Sequence, residues 1–401
     1  MTVSENERWL LPAGIEELLP VQAARLEWLR RSLIDLFSTW GYELVVPPLI
    51  EYLPSLLTGT GGDLDLQTFK ITDQITGRQM GVRADITPQV ARIDAHHLKR
   101  KAPARLCYLG TVLHTRPDGF SGARSFMQVG AELFGHSGIE SDVEILCLLL
   151  ETLAKTGIRE VHLDLGHVGI FRGLARQAGL TWEQEAQLFD TLQRKARPEL
   201  YGLLHTMDVS EPIKSMIASL SELNGGEEVL EAAASSLDKA DETVQVALHG
   251  LEQLAGHMHR WVPQIPLYFD LAELRGYRYH TGVVFAAFVP GHGQEIARGG
   301  RYDDIGKVFG RARPATGFST DLRTLVALSA DATQDSSREG GILAPFSHEP
   351  SLAERVTKLR ESGERVIYVL PGQEEIDPLS LGCDRLLVRV GEWWEIQAVE
   401  D

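Results

Sequence analysis

The stretch RSFMQVGAELFG, residues 124–135, alternates with the period of a β-strand. Successive side chains of a strand point to opposite faces, so Gln128, Gly130 and Glu132 share one face and Met127, Val129, Ala131 and Leu133 the other. A Gln and a Glu flanking a glycine make a face with fixed acceptors and room above the backbone. Just upstream, ARLCYLGTVLHT (104–115) reads as a second strand, and the polar, glycine-containing RPDGFSGA (116–123) joins the two. An antiparallel pair with a polar face is the nucleus around which the rest arranges itself.

Working outward, VQAARLEWLRRSLIDLFSTW (21–40) spaces Leu26, Leu29, Leu33, Leu36 and Phe37 as an amphipathic helix, ended by Gly41. YELVVPPLIEY (42–52) is a β-branched run stopped by Pro47 and Pro48. TFKIT (68–72) and RQMGVRA (78–84) form a hairpin turning near Thr76-Gly77. A helix runs from Thr87 to about Lys99, with Pro88 in its first turn. Residues 140–156 are helical and VHLDLGHV (161–168) is a strand. From 170 to 262 Ala, Leu, Glu and Gln dominate, the mark of an inserted helical subdomain. Strands resume at PLYFDLAEL (266–274), VVFAAFVP (283–290) and QEIARGG (294–300), and a last helix is expected over 317–330. DATQDSSREGG (331–341) reads as a linker. The tail, 338–401, reads as a small α/β domain with helix SLAERVTKLRES (351–362) and strands ERVIYVL (364–370) and DRLLVRV (384–390). The fold expected is α+β: an antiparallel sheet flanked by helices over 1–330, with the helical insertion inside it.

Composition narrows the function. Lys plus Arg number 39 against 56 Asp plus Glu, a formal net charge of −17. Affinity for nucleic acid comes from a basic face, and Lys99, Arg100, Lys101 and Arg105 are the one basic cluster, so a nucleic-acid partner is not expected. No run approaches the ~20 apolar residues of a membrane span. The opening MTVSENERWLLPAG lacks the basic and apolar blocks of a secretory signal. Three widely spaced cysteines, Cys107, Cys147 and Cys383, form no CxxC pair and suit a reducing cytoplasm. His249, His257 and His259 stand at offsets of eight and ten, and His96 and His97 are adjacent. None has metal-ligand spacing, so no metal and no cofactor is expected. No phosphate-cradling glycine loop and no GxSxG is present. Gly299-Gly300 permits a close backbone approach or a tight sheet corner.

The informative residues are polar groups punctuating apolar strands. Asp85 and Thr87 stand at the strand-to-helix junction RADITP (83–88), where a helix cap is the competing explanation. Read as a strand, LRGYRYH (274–280) places Arg275, Tyr277 and Tyr279 on one face. Asp85, Thr87, Gln128 and Glu132 supply acceptors, while Arg275 supplies a cation. Such a set suits a zwitterion with an extra donor on its side chain, which describes an amino acid.

At these residues the chain resembles the class II aminoacyl-tRNA synthetase core in its histidyl branch, over about residues 9–330. GYELVVPPLIEY (41–52) resembles the first motif, which builds the dimer interface. RADIT (83–87) stands where histidyl enzymes carry Arg-Pro-Glu-x-Thr. Gly110 through SFMQVGAELFG resembles the second motif, LRGYRYHTGVVF (274–285) the histidine signature Arg-Gly-x-Asp-Tyr-Tyr, and GGRYDDIGKVFGRARPATGFSTDL (299–322) the approach to the third motif. Five segments in the right order make the match specific.

The departures choose among functions. Aligned on QVGAELFG, the phosphate-binding Arg of the second motif falls on His114. In GFSTDLRTL (317–325), Asp321 replaces the second glycine of the third motif, Arg323 its Glu, and Thr324 its ATP-binding Arg. Arg323 is one residue out of register, which on a helix is a turn of about 100°. Arg278 replaces the signature's Asp and His280 its second Tyr. Each charge-assisted phosphate contact is worth roughly 1.5–3 kcal/mol, so loss of both arginines should leave adenylate formation negligible. The positions matching amino-acid binding survive. This profile, with GYRYHTGVVF and the opening LLPAGIEELLP (10–20), resembles the regulatory subunits of ATP phosphoribosyltransferase. The resemblance implies a non-catalytic chain that self-associates as a dimer and joins a short-form catalytic subunit in a hetero-octamer. It also implies feedback by histidine, bound through Asp85, Thr87, Gln128, Glu132, Arg275, Tyr279 and His280. The alternatives are an active histidyl-tRNA synthetase-like or other amino-acid-adenylating enzyme, and a structural dimer without a ligand.

Overall fold

The computed structural model describes residues 9–58, 62–117, 122–273, 276–277, 279–329, 340–373 and 375–399. Its chain divides into two compact units, 1–331 and 332–401.

The first unit holds strands β1 (Glu43–Leu44), β2 (Ile50–Tyr52), β3 (Phe69–Thr72), β4 (Gln79–Val82), β5 (Ala104–Leu113), β6 (Ser125–Phe134), β7 (His162–His167), β8 (Asn224–Gly225), β9 (Leu267–Asp270), β10 (Val283–Phe288), β11 (Ala297–Arg301) and β12 (Ala315–Asp321). Nine of them form one sheet in the order β1-β5-β6-β12-β11-β10-β7-β9-β8. Its middle, β5 through β7, is antiparallel, and parallel pairs occur at β1/β5 and β7/β9. The fold class is therefore α+β with a large mixed sheet. β2, β4 and β3 make a separate three-stranded sheet, its hairpin closed at Gly77 with φ +72°.

Helix Pro20–Thr39 buries Leu26, Leu29, Leu33 and Phe37, the stripe its spacing dictates. Helix Ile139–Lys155 is more deeply embedded, with Ile145, Leu146, Leu148, Leu149 and Leu153 fully covered. Between β7 and β9 the chain forms six helices, from Val168–Gln177 to Glu242–Trp261, interrupted only by the short β8.

Two expectations change. Residues 317–330 are not one helix: β12 runs to Asp321 and a helix, Leu322–Leu328, follows. β12 is paired on both sides and mostly buried, so the alternation that marks a half-exposed strand is missing. Asp321 makes the switch, its carboxylate accepting from the backbone N–H of Arg323 and Thr324 at 3.3 and 3.2 Å. Gly276, Tyr277 and Tyr279 lie in a turn, not a strand. Gly276 has φ +63° and its carbonyl accepts from the N–H of Tyr279 and His280 at 2.7 and 2.8 Å. Tyr277 and Tyr279 therefore do not share a strand face.

The second unit orders β13 (Gly341–Ala344), β14 (Val366–Tyr368), β15 (Cys383–Val390) and β16 (Trp393–Ala398) as β14-β13-β15-β16. Helix Pro350–Glu361 lays Leu352, Val356 and Leu359 against Ile342, Val366 and Leu387. β13 and β16 add to the elements expected there. The linker expected over 331–341 lies, up to residue 339, outside the described residues.

Candidate functional site

Register decides what meets on the sheet. Across β5/β6, Leu106, Tyr108 and Gly110 stand opposite Glu132, Gly130 and Gln128. Across β6/β12, Gly317, Ser319 and Asp321 stand opposite the same three. Opposed residues share a face, so Tyr108 joins Glu132 and Gln128. Gly317 is required by Glu132, because a Cβ there would sit 1.6 Å from the carboxylate. The room expected above Gly130 is filled: a Cβ there would lie 2.4 Å from the Tyr108 hydroxyl.

Glu132 is the electrostatic centre. It is 1% exposed, and both carboxylate oxygens have donors. The Tyr108 hydroxyl donates to Oε1 at 3.0 Å and the Tyr302 hydroxyl to Oε2. Thr87 Oγ1 lies 2.9 Å from the Tyr108 hydroxyl and extends the chain of hydroxyls. Burial outweighs these bonds and pushes the Glu132 carboxyl up to about 8. Tyr279 stacks on Tyr302 with centroids 5.0 Å apart, and its buried hydroxyl has no partner among the described residues. The His280 ring meets Tyr279 edge-on and lies across Gly276 and Gly300. The close approach at Gly299-Gly300 is thus internal: Phe285 crosses the first glycine and His280 the second.

Asp85 both organises the chain and faces the cavity. Its Oδ1 accepts from Thr87 N–H at 3.0 Å and from Gln128 Nε2 at 2.7 Å, while Gln128 Oε1 accepts from Ile86 N–H at 2.9 Å. Asp85, Thr87, Glu132, Tyr279 and His280 line a cavity of about 370 Å³, within the size range of small-molecule sites. Gln128 lines a neighbouring cavity, which shares Asp85 with the first. Arg275 and Arg278 lie outside the described residues. Tyr277 is turned away from the cavity, its hydroxyl donating to Glu185 at 2.6 Å.

The neighbouring cavity, about 290 Å³, holds the positions expected to have lost phosphate contacts. His114 is 7% exposed and packs at a tilt against Phe126, with Nε2 2.9 Å from the Ala84 carbonyl. A carbonyl only accepts, so Nε2 is the donor, and the bond ties the ring to the chain beside Asp85. The Thr324 hydroxyl donates to Asp321 at 2.9 Å. Arg323 reaches instead toward the Glu16 carbonyl, 3.5 Å away. Asp85, Glu295 and Asp321 line the cavity with Arg298, which pairs with Glu295 at 3.5 Å. The lining thus sets three carboxylates against one guanidinium.

The sequence reading missed Tyr108 and Tyr302, the two phenols that hold Glu132. Tyr108 had a signal, since parity along β5 puts it on the face of Glu132 once the hairpin register is drawn. Tyr302 had none: it reaches Glu132 from 170 residues away.

Among the described residues no group of three or more His, Cys, Asp or Glu is placed to hold a metal, and no helix is long and apolar enough to cross a membrane. The three cysteines are free and buried. Burial pushes the Cys107 and Cys147 thiols up to about 12 and about 11, so both are unreactive.

Residues 14–325 match the histidyl-tRNA synthetase family model, and residues 339–397 match that of the ATP phosphoribosyltransferase subunit HisZ C-terminal domain. The ATP phosphoribosyltransferase regulatory subunit of Thioalkalivibrio sulfidiphilus is 60% identical over 387 residues, covering 96% of this chain and 97% of its own. That of Alkalilimnicola ehrlichii is 59% identical over 384 residues, covering 96% and 95%. Among solved structures, an ATP phosphoribosyltransferase regulatory subunit/histidyl-tRNA synthetase from Bacillus halodurans aligns with TM-score 0.82 and 26% identity over 94% of this chain and 97% of its own. Histidyl-tRNA synthetase from Nostoc sp. shares the fold at TM-score 0.76 and 17% identity, covering 95% and 91%.

Proposed function

Since the chain belongs to the family of ATP phosphoribosyltransferase regulatory subunits, we propose that it is a non-catalytic subunit that activates a short-form catalytic partner and makes it sensitive to histidine. The observation that carries this reading is the contrast between the two cavities. One keeps its polar groups and a buried carboxylate. The other presents His114, Thr324 and Asp321 where phosphate would need cations.

In this reading Glu132 and Tyr279, with His280, hold the imidazole of histidine. Asp85, Thr87 and Gln128 hold its α-amino group, and Arg275, named from the sequence, its carboxylate. The orphaned Tyr279 hydroxyl supports the assignment, because a buried polar atom without a partner is costly until a ligand supplies one. The chain works in the cytoplasm, dimerises, and takes part in a hetero-octamer without nucleic acid. Histidine regulates by favouring one assembly state over another, since a ligand indifferent to both shifts nothing. A coupling of about 1–3 kcal/mol suffices.

Reconstitution tests this directly. Mixing the chain with a short-form catalytic subunit should switch on phosphoribosyl transfer, and millimolar histidine should switch it off. Turnover independent of the chain would overturn the proposal.

The proton on Glu132 gives a second expectation. Near neutral pH the free site carries one proton with its carboxyl at about 8, while free imidazole titrates near 6.5. A carboxylate–imidazolium pair also holds one, so binding neither takes up nor releases a proton in that window. Above pH 8 the empty site has lost its proton and must regain one, so affinity falls toward tenfold per pH unit. Calorimetry at pH 7, 8 and 9 should give a flat response followed by this decline. A monotonic rise would contradict the shared proton.

A further inference from the structure

The turn that carries Tyr279 and His280 is anchored from outside the cavity. Tyr277 points into the helical insertion, where its ring is 7% exposed and packs on Phe171 and Phe189, with centroids 5.5 and 5.3 Å away. Its hydroxyl donates to Glu185 Oε1 at 2.6 Å, on helix Trp182–Gln193. Burial first, and then Glu185, raise the phenol's pKa, which keeps it a donor. Arg172, on helix Val168–Gln177, donates from one nitrogen to the carbonyls of Tyr277 at 2.6 Å and His280 at 3.1 Å. Its guanidinium also lies 4.8 Å from the centre of the Tyr277 ring. The carbonyls of Tyr277 and His280 bracket Tyr279, so a single side chain of the insertion fixes the backbone on both sides of a cavity-facing ring. On the sheet side the turn is tied at Thr281, whose N–H donates to the Arg301 carbonyl at 2.7 Å. Neither Tyr277 nor Arg172 lines the cavity.

From this juxtaposition we infer that Tyr277 and Arg172 are positioning residues through which the helical insertion sets Tyr279 and His280 in place, and through which the insertion senses occupancy of the cavity. The inference rests on the reading of the cavity as a histidine site and adds the route by which occupancy leaves it. The coupling is reciprocal: whatever the insertion contributes to ligand affinity, the ligand returns as stability of the insertion. The surface of helices Val168–Gln177 and Trp182–Gln193 then differs in dynamics between the empty and filled states. That is the form a signal to another subunit requires.

The test uses the full chain, L-histidine as probe, and two readouts: the dissociation constant by calorimetry and amide hydrogen exchange with and without histidine. In the wild type, histidine should slow exchange in residues 182–193. Y277F, which loses the bond to Glu185, should bind histidine about fivefold more weakly and lose that slowing. E185Q keeps an acceptor oxygen and should retain both. A lower melting temperature of Y277F with unchanged affinity would overturn the inference, because it is what a merely structural role gives. So would slowing confined to the cavity strands in the wild type. A wild-type chain that binds no histidine overturns the reading of the cavity and this inference with it, whereas normal wild-type binding with an unaffected Y277F overturns the inference alone.

Discussion

Glu132→Gln is expected to weaken histidine binding about 100-fold or more while the chain stays folded. Glu132 is the deeply buried carboxyl of the larger cavity, and both its oxygens are held in place by phenols. A hydrogen bond to a charged partner contributes about 1.5–3 kcal/mol, and here the partner is desolvated and preorganised. Glutamine keeps the shape and an oxygen that can accept from Tyr108 or Tyr302. Its amide, however, cannot carry the negative charge that holds an imidazolium, and its NH₂ faces a phenol that used to donate. The fold does not need the charge, since burial already disfavours the ionised form. Calorimetry with L-histidine, beside a melting curve, separates binding from folding. Wild-type affinity in a folded Glu132→Gln chain would remove Glu132 from the site.

Arg301→Ala is expected to destabilise the first unit by about 3–5 kcal/mol, the usual cost of orphaning one partner of a buried ion pair. Arg301 is 7% exposed. It donates to Asp142 Oδ2 from Nε at 3.1 Å and from Nη2 at 2.8 Å, to Ser141 Oγ at 2.8 Å, and to the carbonyls of His136 and Gly138 at 3.2 and 3.1 Å. These bonds fasten the end of β11 to the start of helix Ile139–Lys155. Removing the guanidinium leaves Asp142 buried with its charge uncompensated, and burial already raises the pKa of that carboxyl. The effect reaches the site, because Tyr302, the next residue, donates to Glu132. Urea unfolding followed by tryptophan fluorescence measures the loss. Converting the pair together, Arg301→Met with Asp142→Leu, should recover most of it. A single variant within 1 kcal/mol of wild type would show that the pair carries little of the stability.

The parts of the fold written in local periodicity were legible. Alternation through RSFMQVGAELFG located β6 and its polar face, and leucine spacing located helix Pro20–Thr39. Where burial covers both faces, periodicity vanishes. β12, with Ala315, Thr316, Gly317 and Phe318 all buried, was absorbed into the helix that follows it. The candidate site divides in the same way. Asp85, Thr87, Gln128 and Glu132 lie on elements whose geometry follows from sequence, and the structure brings them together. Tyr277 was misplaced because the period-2 reading of 274–280 did not allow for a left-handed glycine at 276. The hydroxyl of Tyr302 and the glycine opposite Glu132 belong to distant strands, and only the closed sheet brings them to it.

In the proposed function the Glu132 cavity holds a free amino acid, in a chain that has lost the means to activate it. Titration of L-histidine into the nucleotide-free full chain by calorimetry, repeated with saturating magnesium ATP, tests it most directly. The expected result is one saturable site per chain with the same affinity in both titrations and no continuing heat of turnover. Binding only when ATP is present, or sustained heat from adenylate chemistry, would contradict it.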